Sequence, residues 1–174
     1  KHIAGAGDDR SAIVWNATTG RKEAALSDHD SRLNGVAFTP DGQSLAVAGQ
    51  DRTIKLLDVA RRELQWQANY SQASGYCVAV SPDGRWVATT FGVYERATGR
   101  QLAGCFPGEW GAIYGVAFSA DGRRLVCVTE NGSLLLWDTD TWRLLARQQQ
   151  AGLHLITVSF APDGQTFVTG EDEG

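Results

Sequence analysis

The 174-residue sequence contains no methionine, only three cysteines and only four prolines. Cys77, Cys105 and Cys127 form an odd set without the short paired spacing of metal ligands. They read as small core residues, which points to a reducing, cytoplasmic setting. No apolar run approaches the roughly 20 residues that a helix needs to cross a bilayer, so no membrane partner is expected. Lysine and arginine total 16 against 20 aspartate and glutamate, a net charge of −4. No basic stripe emerges, because Arg61-Arg62 and Arg123-Arg124 are isolated pairs at turns. A duplex-binding surface needs many phosphate contacts, so nucleic acid is not expected as a partner. There are three histidines, and none stands in a nucleophile pattern. Ser27, His29 and Asp30 are neighbours in sequence, whereas a triad is defined by geometry and role. Gly5-Ala6-Gly7 is followed by no helix whose N-terminus would hold a phosphate. No catalytic residue, metal or cofactor is therefore expected.

Glycine, by contrast, is abundant at 20 residues, and there are six tryptophans. The glycines punctuate a repeat. "GVAFTPDGQSLAVAG" returns as "CVAVSPDGRWVATT", "GVAFSADGRRLVCVT" and "TVSFAPDGQTFVTG". The turn glycines Gly42, Gly84, Gly122 and Gly164 are 42, 38 and 42 residues apart. Within each copy, large apolar residues alternate with small ones, which is the period of a strand. Thr39-Pro40-Asp41-Gly42 suits a type I turn, and Ala120 replaces proline where most residues are tolerated. A second turn follows at Gln50-Asp51-Arg52 or Glu130-Asn131-Gly132, then a third strand such as "TIKLLD" or "SLLLWD". A more polar fourth strand, "RRELQWQA" or "WRLLARQQQ", ends the unit. Four short antiparallel strands per roughly 42 residues predict an all-β propeller of four-stranded blades. Between Val87 and Glu95 the second copy is short, which predicts an irregular or truncated hairpin.

These segments resemble the WD-repeat β-propeller family. The likeness rests on "VAFTPDG", "VAVSPDG", "VAFSADG" and "VSFAPDG", and on third-strand ends "IVWNATTG", "IKLLDVARR", "VYERATG" and "LLLWDTD". Only Trp137-Asp138 is the literal Trp-Asp pair. The family's structural tetrad of His, Ser/Thr, Asp and Trp is matched in pieces. His29 and Asp51 stand in the first full copy, with Val47 and Leu57 at the other two places. Trp137 stands in the third, with Glu109 and Asn131, and Asp9 and Trp15 stand in the N-terminal piece.

The repeat divides the chain into a partial blade at 1–28, blades at 32–70, 74–106 and 112–149, and a partial blade at 155–174. This pattern is expected of an arc cut from a larger ring. The alternatives are a compact four-bladed ring closed by the two partial blades, or a dimer of half-rings. Either the remaining blades of one chain or a second copy would then meet the ends.

The resemblance implies a non-catalytic scaffold that binds a protein or peptide on one face. On the family pattern, that face carries positions before each first strand and in each second-to-third-strand turn. The expected partner-binding residues are Arg32, Asn34, Gln50, Tyr76, Trp110, Tyr114, Glu130 and His154. Aromatic residues and arginine are favoured at interface hot spots. The alternative function is a propeller enzyme or small-ligand binder using the central channel, and a third is an arc that contacts another domain of its own protein.

Overall fold

A computed structural model describes residues 1–26, 29–70, 77–102 and 111–172. Tyr76, Trp110, Ser74, Glu109, Cys105 and Ser27 lie outside the described residues. The described chain is all-β, in five consecutive antiparallel sheets that form part of a β-propeller. Sheet 1 contains β1 (His2–Ala6), β2 (Ala12–Asn16) and β3 (Lys22–Leu26). Sheet 2 contains β4 (Leu33–Phe38), β5 (Ser44–Gly49), β6 (Thr53–Asp58) and β7 (Leu64–Asn69). Sheet 3 contains β8 (Val78–Val80), β9 (Trp86–Thr89) and β10 (Gly92–Glu95). Sheet 4 contains β11 (Ile113–Phe118), β12 (Arg124–Thr129), β13 (Ser133–Asp138) and β14 (Leu144–Gln149). Sheet 5 contains β15 (His154–Phe160) and β16 (Phe167–Asp172). In each sheet neighbouring strands are consecutive in the chain.

Sheet 3 departs from the expected four strands. Among the described residues its fourth strand is reduced to one bridge, Tyr94 to Gln101. Its second and third strands are joined through Thr90 and Phe91 alone, and Gly92 sits at φ 145°. The five residues missing from this repeat are what shorten the hairpin.

Each second strand has both faces buried, because alternate residues serve opposite neighbours. Leu45 and Val47 pack with Ala12, Val14 and Leu26 of sheet 1. Ala46 between them packs with Val87 and Tyr94 of sheet 3. Leu125 and Cys127 face Ala88 and Val93 of sheet 3, while Val126 and Val128 face Leu155 and Val158 of sheet 5. A small residue beside a large one thus lets a single strand hold two sheets. Full burial of such a side chain is worth about 1.5–3 kcal/mol. The four apolar clusters are the main adhesive of the arc.

The Pro-Asp-Gly turns lie along one edge of the sheets, called here the lower edge. Thr39, Ser81 and Ser119 each donate their hydroxyl to the aspartate two residues on, at 2.5, 2.5 and 2.6 Å. Each hydroxyl oxygen also accepts the N–H of the residue that opens the next strand. The hydroxyl bonds hold the Asp41 and Asp121 carboxyls below the usual carboxylate range. At Asp83 burial pushes upward, but the Ser81 hydroxyl and the Arg85 N–H outweigh it. The turns also nest between sheets. A Cβ added at Gly84 would lie 3.5 Å from Pro40, and one at Gly122 would lie 3.5 Å from Pro82.

Candidate functional site

The opposite, upper edge gathers the starts of the first strands and the second-to-third-strand turns. Arg32 accepts the Gln50 N–H at its carbonyl (2.8 Å), and Ala112 does the same for Glu130 (2.9 Å). This pairing sets the expected pre-strand and turn positions side by side. The Arg32 guanidinium lies 3.4 Å from Asp8 of sheet 1, both side chains well exposed. The Gln50 amide nitrogen comes within 3.5 Å of Asn34 Oδ1. In sheet 5, His154 opens β15 opposite Asp172, and Gln50, Glu130 and His154 are all exposed.

Asn34, Tyr114 and Ile156 share a geometry that was not read from the sequence. The register shifts between Leu33 and Gly35, between Ile113 and Gly115, and between Leu155 and Thr157. Each of the three residues is the extra one of a β-bulge. A bulge re-aims its side chain and bends the strand. The signal was in the sequence: Leu33 and Val36 serve one core cluster, as do Ile113 and Val116 and Leu155 and Val158. Residues three apart cannot share a face of a regular strand, so one residue must be bulged out. The bulges leave Asn34 and Tyr114 half-buried and Ile156 exposed.

The structural residues fall beneath this edge. His29 Nδ1 lies 2.8 Å from Asp51 Oδ2 and 3.2 Å from Thr53 Oγ1. The Thr53 hydroxyl donates to Asp51 Oδ1 at 2.7 Å, and the Asp30 N–H donates to Oδ2 at 3.0 Å. Burial alone would raise the Asp51 pKa, but the Thr53 hydroxyl, the nearby His29 and the Asp30 N–H together lower it. Thr53 opens the third strand. It stands in for the hydroxyl that Val47, on the second strand, does not supply. The same Asp/Asn-x-Ser/Thr turn recurs: Asp9 accepts the Ser11 N–H and hydroxyl, and Asn131 accepts the Thr129 hydroxyl at 2.6 Å and the Ser133 N–H at 3.3 Å. Trp15 rests over Gly5. Trp137 is buried in the cluster between sheets 3 and 4. Asp138 serves the lower edge, where it accepts the Thr141 N–H (2.8 Å) and hydroxyl (2.6 Å) of the third-to-fourth-strand turn.

Chemistry beyond hydrogen bonding finds little purchase among the described residues. No group of three His, Cys, Asp or Glu side chains is gathered that would hold a metal ion. Burial pushes the Cys77 thiol up to about 12, so it stays protonated and inert at neutral pH. No described helix is long and apolar enough to cross a membrane.

Residues 20–58 and 100–138 match the family model described as WD domain, G-beta repeat. The first match begins in sheet 1, at the turn before β3, and ends with β6 of sheet 2. An uncharacterized WD repeat-containing protein of Synechocystis is 31% identical over 150 residues, which cover 83% of this chain and 43% of that protein. A guanine nucleotide-binding protein subunit beta-1 of Nicotiana tabacum is 28% identical over 196 aligned positions, covering 99% of this chain and 51% of that protein. A periodic tryptophan protein 2 homolog of Dictyostelium discoideum is 25% identical over 175, covering 95% of this chain and 19% of that protein. The chain thus spans from a fifth to about half the length of these relatives. With its repeated turns, its antiparallel sheets stacked side by side and these matches, the chain belongs to the WD-repeat family.

Proposed function

We propose that this chain is a non-catalytic interaction module that holds a protein or peptide partner on its upper edge, in the cytoplasm. The contact residues are Arg32, Asn34, Gln50, Tyr114, Glu130 and His154, joined by Tyr76 and Trp110 outside the described residues. The observation that carries this reading is the set of bulges at Asn34 and Tyr114, with a third at Ile156. Each spends a strand residue to present a side chain at the same height on successive sheets, rather than to pack it. Loops and strand ends on a rigid scaffold are favourable places for contacts. Family likeness to guanine nucleotide-binding protein beta subunits supports a scaffold role in general terms; it does not name the partner.

The test is site-specific photocrosslinking in extract of the source cells. A benzoylphenylalanine at position 34 or 114 is expected to give discrete protein adducts that disappear with Arg32→Glu. The same group at position 43 or 163, on the lower edge, is expected to give none. Equal labelling from both edges would end the proposal.

A further inference from the structure

The three complete second strands β5, β9 and β12 each have a first strand on one side and a third on the other. β1 occupies the same register position in sheet 1 but pairs with β2 only. The consequence is visible at one equivalent position: Leu45 and Leu125 are 0% exposed, whereas Ile3 is 57% exposed. A second difference lies immediately beside it. Gly84 and Gly122 each have the proline of the preceding sheet's turn close by, yet nothing lies within 4 Å of a Cβ built at Gly42. Instead Gly42 borders an open hollow of about 690 Å³, shared with His2 at the start of β1 and with Glu23, Asp58 and Arg62.

We infer that the free edge of β1 and the hollow at Gly42 together form one docking site. Its occupant is an extended segment of a partner polypeptide, apolar at alternate residues and ending in a Ser/Thr-Pro-Asp-Gly turn. The geometry follows from the complete sheets. Phe38 pairs opposite Leu45, and Pro40 then packs at the next sheet's glycine. A strand paired to β1 in that register ends opposite Ile3, and its turn passes His2, which brings its proline to Gly42. Backbone bonds along the edge supply affinity, and the proline slot supplies selectivity for the turn, as in strand addition generally. The site is on the inner edge of sheet 1 and the lower edge of sheet 2, away from the residues of the proposed upper-edge function.

The probe is a labelled peptide with the sequence of residues 33–43, titrated into the whole chain and read by fluorescence anisotropy. Saturable one-to-one binding is expected, with slowed amide exchange at residues 2–6. Ile3→Asp in the chain, or aspartate in place of the peptide's proline, should weaken binding about tenfold or more. The peptide variant leaves the chain untouched, so the test survives any misfolding of the Ile3 variant. Absence of binding overturns the inference, and so does binding that is indifferent to both changes. If the chain alone sediments as an oligomer with residues 2–6 already protected, the occupant is a second copy, and the inference fails in that form.

Discussion

The two edges of the sheets are built from the same kinds of turn, yet they spend their side chains differently. On the lower edge almost every polar turn residue is bonded within its own turn or to the next sheet. Trp66 Nε1 donates to the Arg96 carbonyl of sheet 3 at 2.6 Å. Arg62 donates to the Glu23 carbonyl of sheet 1 at 3.1 Å. Trp142 meets Trp86 of sheet 3 edge to face, with ring centroids 5.2 Å apart. Arg62 and Trp142 hold the left-handed conformation, at φ 61° and 54°, that Gly20 and Gly99 hold in the corresponding turns. Such a conformation costs a side-chain-bearing residue about 1–2 kcal/mol, and here each reaches back to the preceding sheet. On the upper edge, the turn carboxylates are satisfied beneath the surface while Arg32, Gln50, Glu130 and His154 stand outside. The lower edge fastens sheets together, and the upper edge is left available.

The largest expected effect breaks this division, because it is a structural role on the upper edge. Arg10 and Arg52 sit in the second-to-third-strand turn at φ 69° and 64°, and Gly132 takes that place at φ 74°. The first two turns tolerate a side chain. At Gly132 a Cβ would fall 2.2 Å from the Gln150 carbonyl oxygen and 2.7 Å from that of Leu153. Gly132→Ala is expected to cost about 3 kcal/mol or more, and Arg52→Gly less than about 1 kcal/mol, both read by urea unfolding. Similar losses for the two would mean that the three turns are equivalent.

Next comes the lower-edge fastening. Trp142→Gly removes the ring from Trp86 but relieves the backbone. Truncating a tryptophan in a core costs about 3–5 kcal/mol, and the relief returns about 1–2 kcal/mol. The expected net loss is about 2 kcal/mol, with Trp86 fluorescence shifted toward that of an exposed indole. A stability gain would show that the strained turn serves something other than packing.

The contrast between the edges was only half legible in the sequence. Alternation and the repeated Pro-Asp-Gly turns fix the strands, since both report local geometry. The nesting of Pro40 against Gly84 was not legible, because the contact joins residues 44 apart in different sheets. Thr53 was missed at the His29–Asp51 pair because the family pattern places the hydroxyl on the second strand, where Val47 stands. The bulges were readable from the spacing of Leu33 and Val36, but only once both were assigned to one face. Sheet 3's fourth strand was wrongly expected, because its polar sequence carries no pattern that distinguishes a strand from an extended connection.

A smaller effect tests whether the network under the upper edge is a support. Asp51 has a folded pKa below its unfolded value of about 3.9. Its charged form therefore stabilises the fold above that value, and the contribution is lost as pH falls through the folded pKa. Asp51→Asn is expected to cost about 1.5–3 kcal/mol at pH 7, the scale of a hydrogen bond to a charged group. The variant should also flatten the stability profile below about pH 4. Parallel profiles for wild type and variant would show that the carboxylate contributes no charge-dependent support.

The smallest effect on the fold is the most informative about function. Arg32 is well exposed, and its pairing with the equally exposed Asp8 is a surface contact at 3.4 Å. Exposed ion pairs contribute about 0–1 kcal/mol. Arg32→Glu should therefore leave the unfolding midpoint nearly unchanged, within about 0.5 kcal/mol. If the upper edge is the available one, the same substitution removes the adducts formed from positions 34 and 114. Lysine at position 32 should retain them in part, since it keeps the charge but loses the planar fork of the guanidinium. A variant that loses stability and keeps its adducts would reverse the assignment of the two edges, because the arginine would then be a fastener and the partner would lie elsewhere.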